Sequence, residues 1–452
     1  MKALDMFSED YMKDYVKDYV ENRRQIMNTK QLIADLEAGK YQEKLLDIYV
    51  DAEKLEYQTK RYQKAVMIFE GTFGEGEVKI YSAPGRTEVG GNHTDHQHGE
   101  VLAASINLDA IAIVRKREDG KVQIKSDGYD LVTVSCEELE QKKEEENTTL
   151  SLIKGMLAGV KDHGYTIGGF EAYVTSDVLI GAGLSSSAAF ETLLGTILSY
   201  LYNDGKISAV EIAILGQYAE NVYFGKPCGL MDQMASSVGN LVHIDFADPA
   251  EPVVEKVDFD LAAHHYNLCI TDTKGSHANL TPDYAAVPAE MKQVAAYFGK
   301  EVLREVTYEQ VIASIASLRS TTSDRAILRA LHFIEENKRV ETEVEALKKD
   351  DIDTFLQTVQ ASGDSSYKYL QNVYTMQDVL HQNMSLALAI SQIQLGSDGV
   401  ARVHGGGFAG TIQAFVKEEA TESYRKTMDQ VFGEDSCHVL KIRKYGGMCV
   451  VE

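Results

Sequence analysis

Apolar and polar residues recur along this chain with two periods, which predict a mixture of helices and strands. Between residue 1 and about residue 60, Tyr11, Tyr15 and Tyr19 recur every four positions among Lys, Asp and Glu, which is typical of an amphipathic helix. The run 78–83 alternates with period two and predicts a strand that ends at Pro84-Gly85. Similar patterns predict strands at 108–115, 170–174, 241–246, 266–272, 400–403 and 412–416, and helices near 190–201, 209–223 and 285–362.

The helical extension of residues 1–60 leaves two interpretations open. Its apolar stripe either packs on the body of the same chain or forms a surface for a protein partner or a second copy. On the second interpretation, the chain would also suit a role as an assembly or scaffold subunit.

Composition narrows the classes of function. Lys and Arg number 45 against 69 Asp and Glu, so the formal charge of −24 disfavours nucleic acids and anionic membranes as partners. The five cysteines are scattered without a C-x-x-C pair, which predicts free thiols in a reducing compartment. We find neither a basic leader followed by an apolar run nor about 20 uninterrupted apolar residues, and we therefore expect a cytoplasmic protein.

A segment rich in glycine and serine precedes the predicted helix at 190–201. Glycines let backbone N–H groups face a ligand, and a helix N-terminus favours an anion, so the segment predicts a phosphate-binding loop. It lacks the Gly-Lys-Ser/Thr ending of a Walker loop, and a flexible helix cap is the alternative. We name it the phosphate loop; its residues are Gly181, Ala182, Gly183, Leu184, Ser185, Ser186 and Ser187.

Residues 85–99 gather polar side chains in the turn after the first predicted strand. Each sugar hydroxyl needs a donor or an acceptor, so this cluster predicts a site for a carbohydrate or polyol. Two alternatives remain open. One is a plain polar loop, and the other is a metal site built from His93, Asp95, His96 and His98.

Two further segments carry weaker signals. Asp232 stands at the start of a predicted helix among apolar neighbours, where a lone carboxylate usually interacts with the helix dipole. The glycine-rich segment 405–410 offers backbone N–H groups to a phosphate, or forms a tight turn in a sheet.

Together and in this order, these segments resemble the motifs of the GHMP small-molecule kinases, and within them the galactokinase family. The four motifs read SAPGRTEVGGNHTDHQHGEVLAASI, GAGLSSSAAFE, GKPCGLMDQ and RVHGGGFAGT. The resemblance implies a two-lobed α+β fold, with an N-terminal lobe like domain 2 of ribosomal protein S5, a ferredoxin-like C-terminal lobe and the active site in the cleft. We expect a helical extension at 1–60, an N-terminal domain at 61–262 and a C-terminal domain at 263–452.

The resemblance also implies roles for single residues. Asp232 matches the carboxylate that accepts the proton of the sugar's C1 hydroxyl, and Arg86 matches the arginine beside it. Ser187 and Glu220 match the pair that binds Mg²⁺. The phosphate loop would then hold ATP.

Further matches concern the two substrates. Gly406 and Gly407 would line the nucleotide on the side opposite the phosphate loop. The residues that match sugar-binding positions of the family are His93, Asp95, Gly229 and Tyr284.

Three polar positions of the family pattern G-R-V-N-L-I-G-E-H-T-D-Y differ in this chain. This chain has Glu88 for the Asn, Asn92 for the Glu and His96 for the Tyr. In the family that glutamate receives a hydrogen bond from the galactose C6 hydroxyl, whereas Asn92 can accept only through an uncharged oxygen. Glu88 lies nearby in sequence and could restore a carboxylate, so we expect both residues at the sugar.

The resemblance therefore implies phosphorylation of the C1 hydroxyl of a hexose, most directly galactose, with ATP and Mg²⁺. Because Asn92 departs from the pattern, a sugar altered at C5 or C6 is the chief rival substrate, and N-acetylgalactosamine is a further alternative. A non-catalytic sugar sensor of the same fold is the alternative from another class. Sensors that lost activity are altered in the phosphate loop, whereas this chain keeps Ser186, Ser187 and Ala188, which favours an enzyme.

Overall fold

The computed structural model describes residues 28–179, 183–275 and 280–452, which form two lobes and a layer of N-terminal helices. The predicted tyrosine stripe at 11–19 lies outside the described residues. The helices are α1 (Thr29–Glu37), α2 (Gln42–Tyr49), α3 (Leu55–Phe73), α4 (Thr149–Asp162), α5 (Ser186–Tyr202), α6 (Ala209–Tyr218), α7 (Met231–Val238), α8 (Thr281–Tyr297), α9 (Tyr308–Thr321), α10 (Asp324–Lys348), α11 (Ile352–Ser365), α12 (Asn383–Leu395) and α13 (Glu418–Phe432). The strands are β1 (Lys79–Gly90), β2 (Glu100–Arg117), β3 (Lys121–Ser126), β4 (Leu131–Ser135), β5 (Gly169–Ser176), β6 (Leu241–Asp245), β7 (Val253–Val257), β8 (Tyr266–Asp272), β9 (Gly399–Val403), β10 (Thr411–Lys417), β11 (Cys437–Leu440) and β12 (Met448–Val451).

The sheet of the first lobe has the strand order β12-β1-β2-β5-β3-β4, and β6 pairs with both β2 and β7. Its long central strands β1 and β2 are antiparallel. The first motif begins in β1 and ends in β2. Strand β12, near the end of the chain, pairs with β1, with Tyr81 opposite Cys449. This last strand therefore belongs to the sheet of the first lobe, although its residues fall within the predicted C-terminal domain at 263–452.

Strand β2 is buried on both faces, which explains its nearly continuous apolar sequence. Ala110 and Ala112 face the core that also contains α4 and α5. Ile111 and Ile113, which point the other way, face α1 to α3. The N-terminal helices thus cover a sheet face that in many antiparallel sheets is left to solvent.

In residues 28–73, the apolar side chains of the extension pack on the body of the same chain. Tyr62, Val66 and Phe69 of α3 are fully buried against Ile80 and the outward residues of β2. Helix α3 begins before residue 60 and ends at Phe73, so the helical layer continues past the predicted extension of residues 1–60. The extension ends where the chain enters β1.

The second sheet, of order β11-β8-β10-β9, is antiparallel throughout. Helices α12 and α13 cover one of its faces. The 25-residue helix α10 packs against β2, α8 and α11, so it lies between the two sheets and behind the first motif. Within the described residues, no helix combines the length and apolar composition needed to cross a bilayer.

Strand β1 does not end at Pro84-Gly85, as the alternation predicted, but continues to Gly90. Its pairing with β2 is irregular at two points, between Pro84 and Arg86 and between Glu88 and Gly90. Proline is tolerated at such irregularities because no ladder hydrogen bond is lost there. Bulges also redirect side chains, so they set the direction of the residues between them.

We predict that Phe69→Ala will lower the free energy of unfolding by about 3–5 kcal/mol, because it leaves a cavity between α3 and the sheet. The matched control is Met67→Ala, which removes a side chain that is 59% exposed on the same helix and should cost less than about 0.5 kcal/mol. Urea unfolding of both variants provides the comparison. Equal small losses would mean that the extension is not part of the cooperative core.

Candidate active site

The predicted base and arginine lie in contact, although 146 residues separate them in sequence. Arg86, between the two irregularities of β1, donates from Nε to Asp232 Oδ1 over 2.7 Å. Asp232 is in the first turn of α7, and Ser185 Oγ donates to its other oxygen, Oδ2. A second Arg86 nitrogen donates to the carbonyl oxygen of Gly183. The first motif, the phosphate loop and the base-bearing helix therefore converge on one carboxylate.

The protonation state of this carboxylate follows from its partners. Burial by itself would raise the pKa of Asp232, but the charge of Arg86 and the hydrogen bonds from Arg86 and Ser185 outweigh it and hold that pKa below its ordinary value. Asp232 is therefore ionised at neutral pH. It keeps a 30% exposed side chain, so a ligand in the cleft can reach it.

The described part of the phosphate loop ends at the N-terminus of α5. Ser185 has a φ of 56°, in the left-handed region that a non-glycine residue rarely adopts, and no side chain caps the helix. The first backbone N–H groups of α5 are thus available to an anion. Gly181 and Ala182 lie outside the described residues.

The predicted metal pair also lies together. Ser187 Oγ is 3.2 Å from Glu220 Oε1, and Glu220 is in a π-helical turn (Ala219–Phe224) that follows α6. The ammonium group of Lys226 lies 2.9 Å from the same Oε1, and the amide of Gln233 donates to Oε2. Ser187 and Glu220 thus offer two oxygen ligands of the kind that Mg²⁺ prefers, and the Lys226 ammonium group binds the same carboxylate oxygen in its place.

The sugar-binding matches form a second group beside the base. Asp95 Oδ2 lies 2.4 Å from where a Cβ would stand on Gly229, so a side chain at that position would displace the carboxylate. His93 Nε2 is 2.9 Å from the carbonyl oxygen of Gly406. Tyr284 donates its hydroxyl to the carbonyl oxygen of Gly407 at 2.8 Å. The structure therefore places the third motif against His93 and Tyr284.

Asn92 is fully buried, and its amide bonds only to protein groups. Its Nδ2 donates to Glu88 Oε1 at 2.9 Å and to the carbonyl oxygen of Gly405 at 2.7 Å. Its Oδ1 accepts from Asn372 at 2.8 Å and from Ser366 at 3.3 Å. Two donors and two lone pairs are thus all occupied, and the expectation that Asn92 holds a sugar hydroxyl receives no support from this arrangement.

Glu88 is held in the same way. Arg402, which is fully buried on β9, donates to Glu88 Oε1 at 2.9 Å and also to the carbonyl oxygen of Val89. Burial raises the pKa of Glu88 to about 7, although the charge of Arg402 opposes the shift. The carboxylate that could have replaced the family's glutamate at the sugar is therefore engaged between the two lobes.

A further carboxyl group, Glu343 of α10, supports this loop from behind. It is fully buried, and neither of its oxygens has a hydrogen-bond partner among the described residues. Its Oε2 lies 1.9 Å from where a Cβ would stand on Gly90, a position where the family pattern has Ile. Burial raises the pKa of Glu343 well above its ordinary value, so the group is a neutral acid that occupies the space of the missing side chain.

The histidines do not form the metal site that was one alternative. Among the described residues, no three or more His, Cys, Asp or Glu side chains are grouped to hold a metal ion. His93 instead contacts Gly406, and His96 packs its ring 5.8 Å from that of His93. All five cysteines are free thiols, which confirms that prediction.

Comparison with known proteins identifies two matching family models and several relatives. Residues 151–240 match the GHMP kinase N-terminal domain, and residues 67–116 match the galactokinase galactose-binding signature. A galactokinase of Glaesserella parasuis is 32% identical over 79% of this chain and 90% of its own length. A galactokinase of Streptomyces coelicolor is 29% identical over 80% of this chain and 91% of its own length.

This chain belongs to the galactokinase family. It is therefore a sugar kinase, as the motifs predicted. The crystal structure of Lactococcus lactis galactokinase complexed with galactose superposes with a TM-score of 0.72 and 26% identity, over 84% of this chain and 98% of that one. The Methanococcus jannaschii mevalonate kinase, at 16% identity and a TM-score of 0.56 over 81% of this chain and 99% of its own, shares the fold. The two-lobed α+β GHMP architecture is thus confirmed.

Sequence reasoning about this kinase missed Lys226, Asn372 and Arg402. Lys226 lies in the quoted motif GKPCGLMDQ, and a lysine beside an expected metal ligand was a signal that could have been used. Asn372 follows a π-helical turn (Ser366–Leu370), and nothing in the local pattern ties it to Asn92. Arg402 precedes the third motif, but only the fold places it against Glu88.

The buried acid Glu343 predicts a pH dependence of stability. Its pKa is raised in the folded state, so its contribution to stability is complete below about pH 4.5 and is lost as the pH rises. Glu343→Gln should therefore stabilise the kinase more at pH 8 than at pH 5, with the difference growing by up to about 1.4 kcal/mol per pH unit. Urea unfolding at both pH values measures it.

The control for this prediction is Glu345→Gln on the same helix, where the side chain is 56% exposed and pairs with Lys349. It should change stability little at either pH. If Glu343→Gln changed the free energy of unfolding equally at pH 5 and pH 8, Glu343 would not be a neutral acid in the fold. The groups that face it, Glu336, Arg339, Arg402 and Glu88, would then have to supply a compensating charge.

Proposed function

We propose that this kinase transfers the γ-phosphoryl group of ATP to the anomeric C1 hydroxyl of a hexose, with galactose as the first candidate. The observation that carries the proposal is the Arg86–Asp232 pair, 2.7 Å apart, beside Ser185 and the N-terminus of α5. An ionised carboxylate next to an anion-binding helix end is what the transfer of a phosphoryl group to a hydroxyl needs. The galactokinases among its relatives support the choice of sugar.

In the proposed reaction, Asp232 accepts the proton of the C1 hydroxyl. The C1 oxygen bonds to the γ-phosphorus, the bond from that phosphorus to the β,γ-bridging oxygen breaks, and ADP leaves with the bridging oxygen. Arg86 keeps Asp232 ionised and lies where it can stabilise charge on the transferring group. No covalent enzyme intermediate is needed, because the sugar itself is the nucleophile.

Mg²⁺ fits the group formed by Ser187 and Glu220. Both side chains offer oxygen ligands. The Lys226 ammonium group, 2.9 Å from Glu220 Oε1, shows that this carboxylate already binds a positively charged group. Lys226 is 60% exposed and can move aside for the ion. When bound, the ion would neutralise charge on the nucleotide phosphates.

The C6 end of the sugar distinguishes galactose from rivals that are altered at C5 or C6. The amide of Asn92 is occupied by Glu88, Gly405, Ser366 and Asn372, so the position where the family reads the C6 hydroxyl offers no free acceptor. We propose that galactose is accepted, but that its C6 hydroxyl contributes little. Sugars altered at C5 or C6, and N-acetylgalactosamine, stay as rival substrates.

Replacement of the base tests the chemistry. We predict that Asp232→Asn will lower kcat by about 10²- to 10⁴-fold, the usual contribution of a positioned general base, while ATP binding changes little. A coupled assay of ADP release gives kcat, and calorimetry gives the affinity for the nucleotide. The matched control is Asp272→Asn, which should leave turnover unchanged. Asp272, at the end of β8, is an equally exposed carboxylate and pairs with Lys274. Near wild-type turnover in Asp232→Asn would end the assignment of this residue as the base.

A sugar series tests the substrate. We expect kcat/KM for galactose and for 6-deoxygalactose to differ by less than about ten-fold, because a neutral site without a free partner gains little from the hydroxyl. The same ADP assay with N-acetylgalactosamine, galacturonate, arabinose and glucose ranks the rivals. A preference for galactose of about 10⁴-fold would show that the hydroxyl is read after all. Binding of galactose and ATP without ADP release from any sugar would instead favour the sensor.

A further inference from the structure

Helix α3 of the extension reaches the segment that connects β5 to the phosphate loop. Arg61 is buried, and its Nη1 lies 2.7 Å from Asp109 Oδ1 and 3.0 Å from Asp177 Oδ2. Its Nη2 donates to the carbonyl oxygen of Asp109 at 2.8 Å and to that of Thr175 at 3.4 Å. One guanidinium of the extension therefore joins the end of β5 to the middle of β2.

Asp177, directly after β5, is held at three points. Arg61 binds Oδ2, and Tyr57, one turn earlier on α3, donates its hydroxyl to Oδ1 at 3.0 Å. The backbone N–H of Asp177 donates to the carbonyl oxygen of Asp109 at 2.9 Å. Both carboxylate oxygens and the backbone of this residue are thus fixed, two of the three contacts being made by the extension.

The next residue, Val178, transmits this position to the active site. It is buried, and its Cγ1 lies 2.9 Å from where a Cβ would stand on Gly85, so only glycine fits there. The carbonyl oxygen of Leu184 lies 2.8 Å from the same Cβ position, and it accepts a hydrogen bond from the Arg86 N–H at 3.1 Å. A shift of Val178 would therefore move Gly85, and with it Arg86 and the described end of the phosphate loop.

We propose that Arg61 and Tyr57 of the N-terminal extension are positioning residues for Arg86 and Leu184, so that the extension is part of the catalytic apparatus. The inference rests on the proposed function, because it assigns the nucleotide to this loop. Its physical basis is the planar guanidinium of Arg61, which holds the carboxylates of Asp109 and Asp177 in a fixed geometry. A small displacement of the groups near the reacting atoms lowers the rate strongly. Neither residue touches a substrate.

The test compares three variants with the wild type: Arg61→Gln, Tyr57→Phe and Asp177→Asn. We expect Arg61→Gln and Asp177→Asn to raise KM for ATP and to lower kcat, so that kcat/KM for ATP falls by about 10- to 100-fold. KM for the sugar should stay unchanged. Tyr57→Phe should give a smaller change in the same direction. Arg61→Lys should restore part of the loss, because it keeps the charge but not the fork.

Stability is separated from positioning by a control at the other end of α3. Arg115 of β2 donates to the carbonyl oxygens of Phe73 at 2.6 Å and Glu75 at 3.1 Å, and it pairs with Glu171. Arg115→Gln should lower Tm as the Arg61 variants do, but should leave KM for ATP and kcat unchanged. Asp177→Asn keeps the Arg61–Asp109 pair, so it decides the question even if Arg61→Gln does not fold.

Direct binding of ADP, measured by calorimetry, keeps this proposal apart from the proposed function. Wild-type protein that binds no adenine nucleotide would overturn the proposed function itself. Wild-type binding with unchanged affinity, KM and kcat in both Asp177→Asn and Tyr57→Phe would overturn the positioning role alone. Equal kinetic losses in Arg115→Gln would also overturn it, since the effect would then be one of stability.

Discussion

The ion pair between Arg86 and Asp232 is the interaction on which the rest of the site depends. Both groups are largely withdrawn from water, and each would be costly to bury alone, so the fold is obliged to keep them together. The two groups meet where the irregular pairing of β1 around Arg86, the left-handed backbone of Ser185 and the helix that begins at Met231 come together. The same contacts that satisfy the two charges also keep the Asp232 carboxylate ionised beside the N-terminus of α5.

Within the first motif, two residue types are exchanged between two positions relative to the family pattern. Glu88 and Asn92 stand where the family has Asn and Glu, and in the structure they bond to each other at 2.9 Å. The exchange holds because Arg402 from β9 neutralises Glu88 and the protonated Glu343 from α10 fills the space beside Gly90. The arrangement of this loop is therefore a property of both lobes, since groups from β1, β9 and α10 must fit together.

The N-terminal helices have a comparable place in the energetics. The sheet of the first lobe is apolar on both faces, so a cover is needed over Ile80, Ile111 and Ile113. Helix α3 supplies it, and the polar side chains on the same helix reach the residues that precede the phosphate loop. Hydrophobic cover and catalytic geometry are thus linked through one helix, although its sequence carries no catalytic motif.

The sequence by itself determined the family, the two-lobed fold and the residues that meet at Asp232, because its four motifs resemble those of the GHMP kinases and each motif keeps its glycines, serines and acidic residues within a short stretch of chain. It also predicted most strands, although β1 continues past Pro84, where bulges accommodate the proline. Only the tertiary structure decided that Asn92 and Glu88 are occupied by protein groups, because Ser366, Asn372, Arg402 and Glu343 come from distant segments. The hydrophobic and polar pattern along the chain does not reveal such partners. These side chains become buried, and their charges are compensated, only when the lobes and the extension pack together.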